Sequence, residues 1–258
     1  MFFGDEPINS NYRLTNVIVC EPIKSYNWLM VYNWQQKDWP EFRYDLSHLE
    51  DQLLQFIQTD GQLAGMLKAM PGTSNIEALL NLMVSEAIKT SEIEGEQLNR
   101  DDVVSSIRNN LGINTPHKRA QDAMATGAGD LMHDVRLSFS APLTAQKLFE
   151  WHSMLLESQK DVKDGSWRTH KDPMQVISGA MSKEKIHFEA PPSKQVPTEM
   201  NHFLRWFNAT EPKGKNVIKH APVRSAIAHL YFESIHPFED GNGRIGRAIA
   251  EKALSQTL

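Results

Sequence analysis

The stretch His236-Pro237-Phe238-Glu239-Asp240-Gly241-Asn242-Gly243-Arg244-Ile245-Gly246-Arg247 gathers a titratable base, a carboxylate, a flexible turn and two guanidinium groups. That combination suits a phosphate-bearing substrate. Gly241 and Gly243 permit backbone angles that a side chain would forbid. With Asn242 between them, successive amides can turn inward as an anion-binding nest. The spacing of Ile245, Ala248, Ile249 and Leu254 predicts a helix from about Arg244. Its free N-terminal amides and dipole would add positive potential at the same place. Arg244 and Arg247 fall on one face of that helix, where each can grip phosphate oxygens with paired hydrogen bonds. Asp240 is a hard oxygen ligand, and Mg²⁺ commonly bridges a carboxylate and substrate phosphates. Histidine is the side-chain type best suited to proton transfer near neutral pH, so His236 can take a proton from an attacking hydroxyl. A Gly-Asn-Gly, a His before Pro, or two arginines a turn apart is each unremarkable alone; their conjunction points to catalysis.

Several elements must hold these residues in place. A helix over 217–235, with Ala221, Val223, Ile227, Leu230, Tyr231 and Ser234 around its inward face, would deliver His236 at its end. His229 and His152 read as packing residues, and no His or Cys cluster has zinc spacing. Helices are also predicted over 143–158, with a stripe of Leu143, Leu148, Trp151, His152 and Leu155, and over 198–208, with Thr198 as N-cap. Between them, Gln175, Val176, Ile177 and Ser178, a polar tip, and Ile186-His187-Phe188 read as a β-hairpin. Upstream, Leu79, Leu80, Leu82, Met83, Ala87 and Ile88 predict a helix running into Thr90-Ser91-Glu92-Ile93-Glu94-Gly95, with Gly95 as its C-terminal stop. Glu94 then lies at the negative end of a helix dipole, unfavourable unless a cation meets it. By charge pattern alone it can equally be a solvated acid in the run Glu92, Glu94, Glu96. A long helix is expected over 46–70, interrupted by Gly61 and Gly65, behind an aromatic opening that includes Trp34 and Trp39 and reads as packing. The whole is a mainly α chain, an all-α class protein with one small hairpin.

The loop matches the Fic-domain signature His-Pro-Phe-x-Asp/Glu-Gly-Asn-Gly-Arg-x-x-Arg at every specified position. The chain thus resembles Fic-domain protein adenylyltransferases, which mostly transfer AMP from ATP to a target hydroxyl. The resemblance implies a helical Fic core with a hairpin flap, His236 as general base and Asp240 as Mg²⁺ ligand. It implies a nucleotide-binding set of Asp240, Gly241, Asn242, Gly243, Arg244, Gly246 and Arg247, with Arg247 on the γ-phosphate and Phe238 anchoring the loop. The related Doc-type kinases carry Lys at the position of Gly243 and lack the second arginine, which argues against simple phosphate transfer. Thr90, Glu94 and Gly95 resemble the family's inhibitory motif, Ser/Thr-x-x-x-Glu-Gly/Asn, placed before the core. The implied device is Glu94 pairing with Arg247 and misaligning the triphosphate. The flap at Gln175, Val176, Ile177 and Ser178 would hold the target segment by strand addition. Substrates would be ATP with Mg²⁺ and a Ser, Thr or Tyr hydroxyl of a target protein or of the chain itself. Alternatives are AMP removal, transfer of another nucleotide, and a non-catalytic ATP sensor. Homodimers are common in the family.

Composition narrows the rest. The length of 258 residues allows one large core or two modest ones. Three segments are expected: an arm over 1–25 with the short run Val17-Ile18-Val19, a helical region over 26–112 carrying the inhibitory helix, and the catalytic region over 113–258. The family resemblance implies that the last is cut short. A formal charge of −5 offers no footprint for general nucleic-acid binding. The lone Cys20 permits no internal disulfide, which points to a reducing compartment, cytoplasmic by default. No apolar run is long enough to span a membrane and no signal peptide is evident.

Overall fold

A computed structural model describes residues 31–113, 121–157, 164–178 and 185–257. The expected arm at 1–25, Cys20 and the hairpin tip lie outside the described residues. In chain order the elements are α1 (Glu50–Ala69), α2 (Gly72–Ile93), α3 (Arg100–Asn110), α4 (Ala123–Ser138), α5 (Ala145–Leu156), β1 (Gln175–Ser178), β2 (Lys185–Glu189), α6 (Val196–Ala209), α7 (Ala221–Ile235) and α8 (Asn242–Ser255). The mainly α expectation is met. Among the described residues no helix is long and apolar enough to cross a membrane.

α7 and α8 run antiparallel at the centre. Ser225 Oγ donates to Ala250 O at 2.8 Å, and Gly246 faces Glu233 one end further on. α7 is apolar almost all round and buries Ala221, Val223, Ile227, Ala228, Tyr231, Phe232 and Ile235, as a central helix must. α6 supplies Phe203 and Phe207 to one side, and α4 and α5 cover α8 with Leu131, Val135, Leu148 and Trp151. α2 and α3 add Leu80, Val84, Ala87, Val103 and Ile107 to the same continuous core. The expected boundary at 112/113 therefore falls between helices that share one core.

Local sequence rules set most helix starts. Asn99 accepts from the amides of Asp101 and Asp102, Asp122 from Met124, and Thr144 from Lys147. Some elements differ from expectation. α7 begins at Ala221 rather than 217 because Pro222 fits only the first turn. α6 begins at Val196 with Pro197 in its first turn, so Thr198 is inside the helix and does not cap it. α1 runs unbroken through Gly61 and Gly65. Each glycine costs about 1 kcal/mol against Ala, and the Leu, Gln and Lys around them are good helix formers.

The hairpin pairs Gln175 with Glu189, Val176 with Phe188, Ile177 with Ile186 and Ser178 with Lys185, with a bulge between Val176 and Ile177. The aromatic opening packs as expected. Trp39 meets Tyr231 edge-on at 5.0 Å, Tyr32 meets Phe188 at 5.3 Å, and Trp34 Nε1 donates to Glu189 O at 2.6 Å. The segment before α1 thus ties the base of the hairpin to α7.

Candidate active site

α7 stops at His236 because His236 turns left-handed, with φ 50° and ψ 62°. It is the only non-glycine residue with positive φ among the described residues, and strain of this kind persists only where neighbours enforce it. Arg168 enforces it. Its buried guanidinium donates to the carbonyls of His236 (2.7 Å), Pro191 (2.5 Å) and Ile235 (3.3 Å), and its amide donates to Pro237 O at 2.9 Å. A cation on the last carbonyls of a helix also meets the negative end of the dipole. Burial lowers the Arg168 pKa to about 10, so it stays charged.

The rest of the loop is fastened from below. Phe238 is fully buried and stacks on His152, with ring centroids 4.0 Å apart at 11°. Asn242 closes the turn through its side chain, accepting from Phe238 N and donating to Phe238 O, both at 2.9 Å. Its side chain therefore points inward. His152 accepts from Gly165 N at Nδ1 (2.9 Å), which leaves Nε2–H to donate to Asp240 O at 3.1 Å. Burial lowers its pKa, favouring the neutral tautomer that this pair of bonds requires. Asp240 Oδ1 accepts from Gly241 N at 2.6 Å, and Oδ2 lies 3.6 Å from Arg244. The Asp240 carboxylate is about half exposed, 48% of its side chain. Among the described residues no group of three or more His, Cys, Asp or Glu side chains converges. The donor set fits a cation held by one carboxylate together with substrate oxygens.

α8 begins at Asn242, two residues earlier than expected, with Gly241 at φ 79° as its cap. Its amide end therefore opens directly beside His236. α2 ends against it in antiparallel register. Gly95, at φ 80°, closes α2 in a Schellman turn, with Gly95 N bonding Glu92 O and Glu96 N bonding Ser91 O, both at 3.0 Å. That turn aims Glu94 and Glu96 at α8. Arg247 donates to Glu94 Oε1 at 2.5 Å, to Thr90 Oγ1 at 2.5 Å and to Thr90 O at 3.0 Å. A Cβ at Gly243 would collide with the Glu94 carboxylate, so Glu94 lies directly over the first turn of α8. Arg244, 3% exposed, donates from Nη1 to both Glu96 oxygens at 2.9 Å.

The predicted residues Thr90, Glu94, Gly95, His236, Asp240, Gly241, Asn242, Gly243, Arg244 and Arg247 are thus brought together. Gly246 faces α7, where a side chain would collide with Glu233 and touch His229. It makes room for a helix contact. Val176 (46% exposed) and Ile177 (51%) stand outward on the hairpin, apart from this cluster. Sequence reasoning missed four residues. Glu96 was visible only as one acid in a run, and Arg168 and His152 gave no local signal of their loop contacts. Glu233, with Oε2 3.4 Å from His236 Nδ1, could have been found one helical turn before the histidine.

Residues 142–254 match the Fic/DOC family, and residues 32–113 match DUF4172, a domain of unknown function. A probable protein adenylyltransferase of Aquifex aeolicus is 39% identical over 120 residues, covering 43% of this chain and 36% of that protein. A uridine 5'-monophosphate transferase of Xanthomonas campestris pv. campestris is 28% identical over 127 residues, covering 45% of this chain and 22% of that one. The chain therefore spans little more than a third of the first relative's length. A Fic domain-containing signaling protein of Bacteroides thetaiotaomicron shares the fold at TM-score 0.59 and 16% identity, over 80% of this chain and 72% of that one. By its signature loop and this family match, the stretch 142–254 is similar to the Fic/DOC family.

Proposed function

We propose that this chain is a protein adenylyltransferase held in an inhibited state by the end of α2. One observation carries the reading: the Glu94 carboxylate lies over the amide end of α8 and holds Arg247 at 2.5 Å. A carboxylate occupies a place built for anions, where helix amides, a glycine turn and a guanidinium converge. Withdrawal of Glu94 frees Arg247 and the space above Gly243 for a triphosphate.

In the open site the glycine turn and the α8 amides hold the phosphates, and Arg247 takes the γ-phosphate. Mg²⁺ held by Asp240 would offset the charge of the polyphosphate. A Ser, Thr or Tyr hydroxyl attacks the α-phosphorus while its proton passes to His236. The bond from the α-phosphorus to the bridging oxygen breaks, pyrophosphate leaves, and the product is the AMP ester. Glu233 beside Nδ1 orients the ring so that Nε2 is the proton acceptor. With Glu94 in place the triphosphate lies out of line, and misplacement by about 1 Å can cost a hundredfold. Glu96 on Arg244 is a second grip of the same helix end, across a pair more deeply buried than the first. The target segment adds to the exposed side of β1 at Val176 and Ile177, through backbone pairing that demands little target sequence.

The similarity to a uridine 5'-monophosphate transferase supports a second reading, in which the transferred group is UMP. Incubation of the Glu94→Gly protein with ATP, UTP or GTP labelled at the α-phosphate, with Mg²⁺ and cell lysate, tests both. Protein labelling from ATP that His236→Ala removes is expected. Labelling from UTP alone would replace AMP by UMP, and no labelling from any nucleotide would contradict transfer altogether.

A further inference from the structure

α1 spans 20 residues, and none of them is buried. Leu53, Phe56, Asp60, Ala64 and Leu67 recur at helical spacing and are half-covered, so that stripe turns towards the rest of the molecule. A different face carries Glu50, Leu54, Ile57, Gly61, Gly65 and Lys68, separated by four, three, four, four and three residues. All six are exposed, Leu54 at 55% and Ile57 at 60%. A Cβ placed on Gly61 or Gly65 would meet nothing within 4 Å. Among the described residues neither Glu50 nor Lys68 has an ion-pair partner.

Read along the helix, this face runs acid, two large apolar residues, two glycines, base. Reversed, the order is its own complement. We propose that a second copy of this chain covers this face, with α1 lying antiparallel on α1 of the second copy across a two-fold axis. In that arrangement Glu50 meets Lys68 of the second copy, Ile57 seats on Gly61, and Leu54 seats on Gly65. Each contact occurs twice, as a two-fold interface requires. The glycines let the two backbones approach closely, and the large residues fill the space that they leave. An unrelated partner would give no reason for both the charge and the size pattern to be self-complementary. Leu63 and Met66, although exposed, lie on the other flank of α1 and take no part.

One helix per copy is at the small end of specific interfaces, so the dissociation constant is expected at about 1–100 µM. Sedimentation equilibrium of the whole 258-residue protein from about 1 to about 300 µM reads the association directly. A monomer–dimer equilibrium is expected. Ile57→Asp weakens it at least ~10-fold, and Met66→Asp leaves it within ~2-fold, since ~1.4 kcal/mol corresponds to tenfold. Glu50→Lys and Lys68→Glu each weaken it, and the double variant recovers most of the loss. Circular dichroism confirms that helix content is retained in each variant. A monomer across the range overturns the proposal. So does a dimer indifferent to Ile57→Asp, equal loss in Met66→Asp, or a charge-swapped pair that fails to recover.

Discussion

α1 and α2 are consecutive helices of similar length, 20 and 22 residues, yet they sit in the molecule very differently. α1 buries no residue. α2 buries Leu80, Met83, Val84, Ala87, Thr90 and Ser91. The four apolar members of that set hold α2 in the core, and the polar C-terminal turn of the helix meets α8 through Thr90, Glu94 and Glu96. The restraint proposed for α2 requires an element anchored firmly enough to stay in place, yet ending in contacts that can part. In α2 the core residues supply the anchor, and ionic and hydrogen-bonded contacts at its C-terminal turn supply the separable part. α1 has neither, and its free face is the one with self-complementary order.

Substitutions along the two helices break or sharpen this contrast, and the largest effects belong to the seam with α8. In a Glu94→Gly background, His236→Ala should lower the initial rate of nucleotide transfer by about 10²–10⁴-fold, the usual share of a general base. A loss below tenfold would move the proton acceptor elsewhere. Leu80→Ala, in the buried part of α2, should cost about 2–4 kcal/mol of unfolding free energy in a denaturant titration. Leu54→Ala on α1, measured on dilute protein, should cost less than about 0.5 kcal/mol. Equal losses would mean that α1 is anchored as firmly as α2. Glu96→Gln leaves the buried Arg244 without its carboxylate. Thermal unfolding should report a loss of about 1–3 kcal/mol, and the basal transfer rate should rise severalfold. No rise in rate would confine Glu96 to a structural part.

The smallest effect lies further along the same two helices and depends on pH. Glu251 is one turn past Arg247 on α8, and burial pushes its carboxyl up to about 7, with Glu86 of α2 adding to the shift and Arg136 of α4 opposing it. Among the described residues its Oε2 has no hydrogen-bond partner. The folded value lies above the ordinary 4.5, so folding is penalised increasingly as pH rises from about 4.5 through 7. Glu251→Gln should therefore stabilise the protein at pH 8 by about 1–3 kcal/mol and change little at pH 4. Melting temperatures at the two pH values check this. A gain at pH 4 that vanishes at pH 8 would reverse the assigned sign.

The parts of this site that were legible in the sequence are those whose chemistry is local. His236 through Arg247 lie in one loop and turn, so residue type and spacing indicate their parts, whereas Thr90 to Gly95 end one helix whose meeting with Arg247 only the family resemblance implied. Prolines at 197 and 222 carried boundary information that apolar periodicity overrode. The contacts that hold the loop were not legible, because their partners are remote. Glu96 meets Arg244 across 148 residues, Arg168 meets His236 O across 68, and His152 meets Asp240 O across 88. The buried cations Arg224 and Lys252 were equally silent. Arg224 donates to Phe207 O at 2.9 Å and Ala253 O at 3.1 Å, and Lys252 donates to Ser138 O at 2.5 Å. A guanidinium or ammonium that satisfies distant carbonyls leaves no periodic trace, since its partner is a backbone atom of any residue type.

The central claim is that the α2 carboxylate occupies the anion place of α8. The most direct measurement compares the initial rate of AMP incorporation from labelled ATP, at saturating Mg²⁺, between the unaltered chain and Glu94→Gly. The account predicts a rate at least ~10-fold higher in the variant, because misplacement of the triphosphate by about 1 Å is worth up to a hundredfold. Equal rates in two equally folded proteins would contradict it.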